Sequence, residues 1–204
     1  MTFEEVVNHR RSVRHYKNDP IDSEKVKHCI ALASLAPNSS NMQLWEFYHI
    51  IDSEVLKKIA TACLNQEAAT TAQQMVVFVT RQDLYRKRSK KMMELETQNV
   101  LKNSPKLKQE KRIKNWKMYY GKIMPLLYLR FFGFFGIIRK ILVNIIGLFR
   151  PIVYQVSEND MRVVVHKTCA LAAQTFMLAM ANEKYDTCPM EGFDSKKMKG
   201  ILKL

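Results

Sequence analysis

The chain has 204 residues, enough to bury one sizeable core, and its composition does not require a second domain. Hydrophobic residues make up 47% and charged residues 25%, which are globular values and exclude a disordered or fibrous class. The four cysteines are widely spaced, with no C-x-x-C pair, and no secretory signal opens the chain. We therefore expect a cytoplasmic protein with reduced, packed thiols.

The formal charge of +14 is concentrated in one segment. Residues 81–150 hold 18 of the 33 Lys and Arg but only four of the 19 Asp and Glu, so the rest of the chain is neutral overall. This predicts a near-neutral body that carries a basic insertion at about 83–158. Nucleic acid is not an expected partner, because aromatic residues interleave poorly with the cations of 81–122.

The first eighty residues predict three helices and two strands. In chain order these are a helix over 2–10 capped by Thr2, a helix from Asp22 to Pro37, a strand over 47–51, a helix capped by Ser53 and an apolar strand over 75–79. The second helix is expected to bury Leu35 on its apolar face, and Trp45 is expected to anchor the entry to the first strand in the core.

The remaining chain predicts mostly helix. Residues 83–122 are helical and basic, residues 124–153 are aromatic and aliphatic, and residues 162–182 form a long Ala-rich helix. A turn at Pro189–Gly192 and a short basic helix follow. The stretch 124–153 is not a transmembrane span, because its uncharged runs, 131–138 and 141–149, are well below the roughly 20 residues that a span needs.

Three short motifs could carry chemistry. Arg10–Arg14 has the sequence R-R-S-V-R, whose guanidiniums and hydroxyl can bind a phosphate or can form a solvated turn. Pro37–Trp45 is rich in short amides and hydroxyls, which can bond the edge of a planar heterocycle or their own backbone. Cys188–Asp194 contains P-M-E-G-F, which by itself predicts only a turn.

Taken together and in this order, the motifs resemble the FMN-dependent nitroreductase family over residues 2–80 and 160–200. Leu44 departs from the family pattern, where proline usually follows the glutamine, and so does the basic insertion. The resemblance implies an α+β fold with a mixed or antiparallel central sheet flanked by helices, in an intertwined homodimer. It also implies that residues 1–204 form a single domain with the insertion at about 83–158, and that a further C-terminal segment of the family domain is missing.

The resemblance implies roles for the arginine turn. Arg10 and Ser12 are expected to hold the phosphate and ribityl end of FMN, with Arg11 assisting. Arg14 is expected near the pyrimidine edge of the flavin, where a cation favours the reduced, negatively charged ring.

The resemblance also assigns the other flavin contacts. The amide-rich loop is expected to contact the flavin, partly from the other subunit, through Pro37, Asn38, Ser39, Asn41 and Gln43. The C-terminal turn is expected to contribute Pro189, Met190, Glu191 and Gly192, with Glu191 as a positioning residue near N5. Asn65 and Gln66 are candidates for hydrogen bonds to the ring edge, with an exposed helix end as the alternative.

The implied reaction is transfer of hydride from NADH or NADPH through FMN to a nitroaromatic, quinone or similar flat acceptor, in a ping-pong sequence. No metal is expected, because none of the five histidines has a partner at ligand spacing. In this hypothesis residues 83–158 form a lid. The alternative is a protein that binds membrane surfaces through the basic, aromatic insertion, with a degenerate or differently used flavin site.

Overall fold

The computed structural model describes residues 1–204 and contains ten α-helices, three short 3-10 or π-helical segments and two strands. The helices are α1 (Phe3–His9), α2 (Ser23–Ala33), α3 (Ser53–Ala62), α4 (Glu67–Thr70), α5 (Tyr85–Asn103), α6 (Lys106–Met118), α7 (Met124–Tyr128), α8 (Phe134–Gly147), α9 (Glu158–Asn182) and α10 (Ser195–Leu202). The strands β1 (Trp45–Ile50) and β2 (Met75–Thr80) pair in a small antiparallel sheet. The chain divides into two compact units. The first unit comprises residues 1–36, 47–79 and 171–204, and the second comprises residues 37–46 and 80–170.

The first unit has two apolar clusters. In one, Leu56 and Ile59 of α3 pack with Met75 of β2 and Met198 of α10. Asp52 starts α3, because its side chain accepts a hydrogen bond from the N–H group of Val55 at 2.9 Å.

The other cluster of the first unit joins α2 to the C-terminal half of α9. Cys29 of α2 lies with Phe176 and Met180 of α9. Phe78 of β2 meets Phe47 and Phe176 edge-on, with ring centroids 5.0 and 5.5 Å apart. The sheet is thus covered by helix on this side.

The second unit is built around aromatic and methionine side chains. Its core comprises Met42, Leu44, Met92, Tyr120, Met124, Tyr128, Met161 and Val165. Arg139 of α8 is buried there without a carboxylate partner. It donates instead to the carbonyl oxygens of Val156, Leu126 and Leu129 at 2.6, 2.9 and 3.0 Å, and burial lowers the pKa of its guanidinium.

Several local predictions are confirmed and others are wrong by a few residues. The capping box of Thr2 and Glu5 is present, and Trp45 is buried with 5% of its surface exposed. The first strand begins at Trp45 instead of residue 47. The N-cap of α3 is Asp52 instead of Ser53, because the Asp52 carboxylate accepts a hydrogen bond from the otherwise unpaired Val55 N–H.

The boundaries of two helices were also wrong. Helix α9 begins at Glu158 instead of residue 162. Leu35 is 79% exposed, because α2 ends at Ala33 and Leu35 falls in the turn after it.

One helix, α9, is long and apolar enough to cross a membrane on length and composition alone. The core helix of a soluble protein passes the same test. The stretch 124–153, for which no transmembrane span was predicted, forms the shorter helices α7 and α8.

Candidate functional site

The arginine turn begins where α1 ends. Arg10 is the C-cap of α1, and its backbone N–H still bonds the carbonyl oxygen of Val6 at 2.9 Å before the chain becomes extended. Arg11 donates to the carbonyl oxygen of Arg10 at 2.7 Å. None of the guanidiniums of Arg10, Arg11 and Arg14 forms an ion pair. Three unneutralised cations within five residues favour the binding of an anion.

The arginine turn lies beside the C-terminal turn. Ser12 forms a parallel β-bridge with Thr187, the residue that directly precedes Cys188. The first and third motifs, far apart in the sequence, are therefore neighbours in the first unit. The extended chain after the bridge is fixed to α4, because His15 bonds Glu67 at 2.7 Å and the Tyr16 N–H donates to Thr71 Oγ1 at 3.1 Å.

Gln66 connects the end of α3 to the Glu-Gly bend. Its side-chain Nε2 donates to the carbonyl oxygen of Gly192 at 2.7 Å and to that of Cys63 at 3.1 Å. The Asp194 N–H donates to the carbonyl oxygen of Ala62 at 2.8 Å. Both hydrogens of the Gln66 amide are thus engaged within the chain, and only its oxygen remains for another partner. Gln66 therefore holds the Gly192 peptide in position.

The polypeptide before Gln66 turns sharply. Leu64 and Asn65 have φ angles of 59° and 53°, and the Asn65 N–H bonds the carbonyl oxygen of Ala60 at 2.9 Å. Such left-handed residues close the end of a helix. For leucine this conformation carries a cost, so the surrounding contacts must hold it.

Tyr16 adds an uncharged hydrogen-bond donor near the C-terminal turn, where it interacts with Cys188 and Asp186. Burial raises the pKa of its phenol strongly, and the nearby Cys188 and Asp186 raise the pKa further. The phenol is protonated at neutral pH, as the phenol of an unshifted tyrosine also is. Glu191, in contrast, is exposed and forms no ion pair.

The amide-rich loop lies in the second unit and is tightly folded. Three of its residues, none of them glycine, have positive φ angles: Ser40 at 54°, Asn41 at 50° and Gln43 at 46°. Asn38 Oδ1 accepts a hydrogen bond from the Gln43 N–H at 2.8 Å, which closes the loop. Conformations of this kind persist only where the surroundings fix them, and they concentrate at binding sites.

Two tyrosines fix this loop. The hydroxyls of Tyr119 and Ser40 are 2.7 Å apart, and the Tyr120 hydroxyl donates to the carbonyl oxygen of Ser40 at 2.9 Å. Met42 and Leu44 anchor the far end of the loop in the core. Sequence reasoning missed this role for the tyrosines, because no periodicity or spacing links residue 119 to residue 40.

The predicted site residues therefore fall into two groups. Within the first unit the structure brings together the arginine turn, the Asn65–Gln66 turn and the Pro189–Gly192 bend. The loop from Pro37 to Gln43 belongs to the second unit, where it packs with Tyr119 and Tyr120. Surface depressions along α6 and beside α8 are lined by none of the predicted site residues.

Comparison with known proteins decides the family. The model of the nitroreductase family matches residues 7–204, nearly the whole chain. The chain belongs to the nitroreductase family. The α+β fold that the family resemblance implied is confirmed.

Individual relatives agree with this assignment. Among curated proteins, the family member MhqN of Bacillus subtilis (strain 168), which is named as an NAD(P)H nitroreductase, is 21% identical over 203 residues, covering 99% of this chain and 81% of MhqN. Among solved structures, the Bacillus subtilis protein named as nitroreductase ydfN aligns with a TM-score of 0.70 at 22% identity, over 99% of this chain and 81% of its own. A family member from Exiguobacterium sibiricum 255-15, solved in complex with FMN, aligns with a TM-score of 0.66 at 21% identity, over 100% and 81%. At these identities the structures establish the fold.

Proposed function

We propose that the protein is an FMN-dependent oxidoreductase that passes hydride from NADH or NADPH to a flat acceptor such as a nitroaromatic or a quinone. The observation that carries the proposal is the Ser12–Thr187 bridge, which joins the arginine turn to the segment that leads into the Glu-Gly bend. The guanidiniums of Arg10, Arg11 and Arg14 form no ion pair within the chain. This donor set fits FMN, whose phosphate is dianionic and whose ring needs backbone donors along one edge.

The arginine turn would hold the two negatively charged ends of the cofactor. Arg10 and Ser12, with help from Arg11, would bind the phosphate and ribityl chain. Arg14 would lie near the pyrimidine edge, where its fixed charge stabilises the anionic reduced ring. Because no carboxylate neutralises these arginines within the chain, their full charge is available to the cofactor.

The bend at Pro189–Gly192 would face the reactive part of the ring. FMN, when bound, supplies N5 as the atom that accepts and donates hydride. Backbone amides of Glu191 and Gly192 would lie near that atom, and Gln66 would keep the bend in place through its 2.7 Å bond to the Gly192 carbonyl oxygen. The Glu191 side chain has a positioning role in this proposal and transfers no proton.

The protein would work as a homodimer in the cytoplasm. In this proposal the residues of the amide-rich loop, Pro37, Asn38, Ser39, Asn41 and Gln43, contact flavin partly in the site of the partner subunit. The strained, tyrosine-fixed conformation of the loop supports a binding role. The names of relatives such as MhqN support NAD(P)H as the reductant.

Steady-state kinetics on FMN-saturated protein test this proposal. Initial rates should be measured against NADPH or NADH at several fixed concentrations of a quinone. Parallel double-reciprocal lines are expected, because the reductant leaves before the acceptor binds at the same face. Intersecting lines would refute the ping-pong sequence, and failure to bind FMN would refute the function itself.

Light scattering of the same FMN-saturated sample should give the mass of a dimer. A monomeric protein that still held FMN would contradict the shared site.

A further inference from the structure

The outer face of α8 is apolar and exposed. Phe134, Ile137, Ile141 and Ile145 recur at helical spacing, and each is exposed. Four further apolar residues flank the helix in sequence and are exposed as well: Phe131, Phe132, Leu148 and Phe149. Phe132 is 99% exposed and Phe149 is 83% exposed. An exposed apolar helix face of this kind marks an interaction site.

The inner face of α8 is fixed, so the outer face cannot turn inward. Arg139 is bound to three backbone carbonyl oxygens, as described above. Gly136 packs so closely on the start of α9 that a Cβ atom there would lie 3.0 Å from the backbone nitrogen of Glu158. Glu158 in turn accepts a hydrogen bond from the Phe131 N–H at 3.0 Å. These contacts set which side of α8 faces outward.

The charge around this face favours an anionic partner. Residues 111–157 contain nine Lys and Arg and no Asp or Glu. Arg130 precedes the face, Lys140 lies within α8, and Arg150 follows it; none of the three forms an ion pair. A second copy of the chain fits less well, because a two-fold contact through this face would bring the same cations together. Only Glu158, near Arg130, and Asp160, near Lys140, would offset them.

We propose that the α8 face docks on an anionic lipid bilayer, with its apolar side chains in the headgroup region and Arg130, Lys140 and Arg150 on lipid phosphates. The 14 residues of α8 span about 21 Å. This is shorter than the roughly 30 Å hydrocarbon core, so the helix lies along the surface. The proposal is independent of the flavin site, because it uses none of the residues assigned to FMN.

Vesicle flotation of the full chain, loaded with FMN, tests the proposal. Vesicles of phosphatidylcholine alone are compared with vesicles that also contain phosphatidylglycerol. We expect binding to the anionic vesicles, weakened by added salt, and little binding to the neutral ones. No binding to either would overturn the proposal, and so would equal binding to both.

Two double variants separate the apolar and the charged contributions. Phe132→Ser with Phe149→Ser should weaken vesicle partitioning at least about tenfold, because two aromatic side chains no longer leave water. Lys140→Glu with Arg150→Glu should weaken it at least about thirtyfold, since two cation contacts are lost and repulsion replaces them. Leu107→Ser, at a 99% exposed position in α6, and Lys58→Glu, at an exposed position in α3, are the matched controls and should bind as the parent does.

The outcomes also separate this proposal from its rivals. If the phenylalanine variant abolished self-association while the parent bound no vesicles, the partner of the face would be a second copy and the proposal would be wrong. Partitioning that survived both double variants would overturn it as well. FMN content and NAD(P)H oxidation in lipid-free solution should be unchanged in all four variants, so the docking result and the flavin result fail independently.

Discussion

Arg10 and Arg14 of the arginine turn can act on a ligand, because neither guanidinium forms an ion pair within the chain. Arg81 differs, because Asp83 and, to a smaller extent, Glu46 pair with it and raise the pKa of its guanidinium. Arg10 and Arg14 have no such partners. A bound anion would supply the missing counter-charge, which is why an anion should stabilise this turn.

Replacing Arg10 should therefore weaken FMN binding. We expect Arg10→Ala to raise the Kd for FMN about tenfold to a hundredfold, the loss expected for one charge-assisted hydrogen bond. Flavin fluorescence titration measures it. Arg112→Ala, at an exposed arginine of α6, is the control and should leave the Kd unchanged. Equal affinity for the parent and Arg10→Ala would remove Arg10 from the site.

The four cysteines should differ in reactivity. Cys29, Cys63 and Cys169 are buried, and burial raises the pKa of each thiol, to about 11 for Cys169. Cys188 is half-exposed. Because the thiolate is the reactive form, Ellman's reagent should label one thiol quickly in the folded protein, and Cys188→Ser should remove that phase. Fast reaction of two or more thiols would contradict the packing described here.

Elements whose signals are local were predictable from the sequence, and elements that depend on distant contacts were not. The capping box at Thr2 and Glu5 is complete within four residues, so α1 was predicted correctly. The predicted end of α2, at Pro37, was wrong, because no residue near Leu35 indicates that the helix ends at Ala33. The bonds from Tyr119 and Tyr120 to Ser40 join residues that no helical or strand period relates.

Those two tyrosines should keep the amide-rich loop in its strained conformation. Tyr119→Phe with Tyr120→Phe removes two hydrogen bonds to Ser40, which should cost about 1 to 3 kcal/mol of stability and raise amide hydrogen exchange within residues 37–44. Tyr85→Phe is the control, since the Tyr85 hydroxyl bonds only the adjacent Arg86. Unchanged protection of the loop in the double variant would show that other contacts hold it.

The junction of α8 and α9 should depend on pH through Glu158. Its pKa lies below the usual glutamate value because its carboxylate accepts backbone hydrogen bonds, first from Phe131 and also from Gly133. A lowered folded-state pKa contributes stability above the unfolded-state pKa, and this contribution is lost as the pH falls through the folded value. The Tm of Glu158→Gln should thus be lower than that of the parent at neutral pH, and the difference should shrink on acidification below 4.5, the ordinary pKa. A difference that grew on acidification would contradict this account.

For the whole molecule, the fold could be predicted only because several motifs together resemble one family; no single pattern was sufficient. The arginine turn, the amide-rich loop and the Glu-Gly bend are each ambiguous alone, and their order along the chain resembled one family. Hydrophobic periodicity could not predict that Ser12 lies next to Thr187. A β-bridge between residues so far apart in the sequence depends on how every intervening element packs. The division into two compact units could not be predicted from the sequence either. The loop over 37–46 belongs to the same unit as residues 80–170, which are distant from that loop in the sequence.

The most direct measurement is the absorption spectrum of the protein after it is mixed with FMN and freed of unbound flavin. With oxygen excluded, the visible flavin band should bleach on addition of NADH or NADPH and return when a quinone is added. A protein that retains no flavin, or whose bound flavin neither reductant bleaches, would contradict the proposed function.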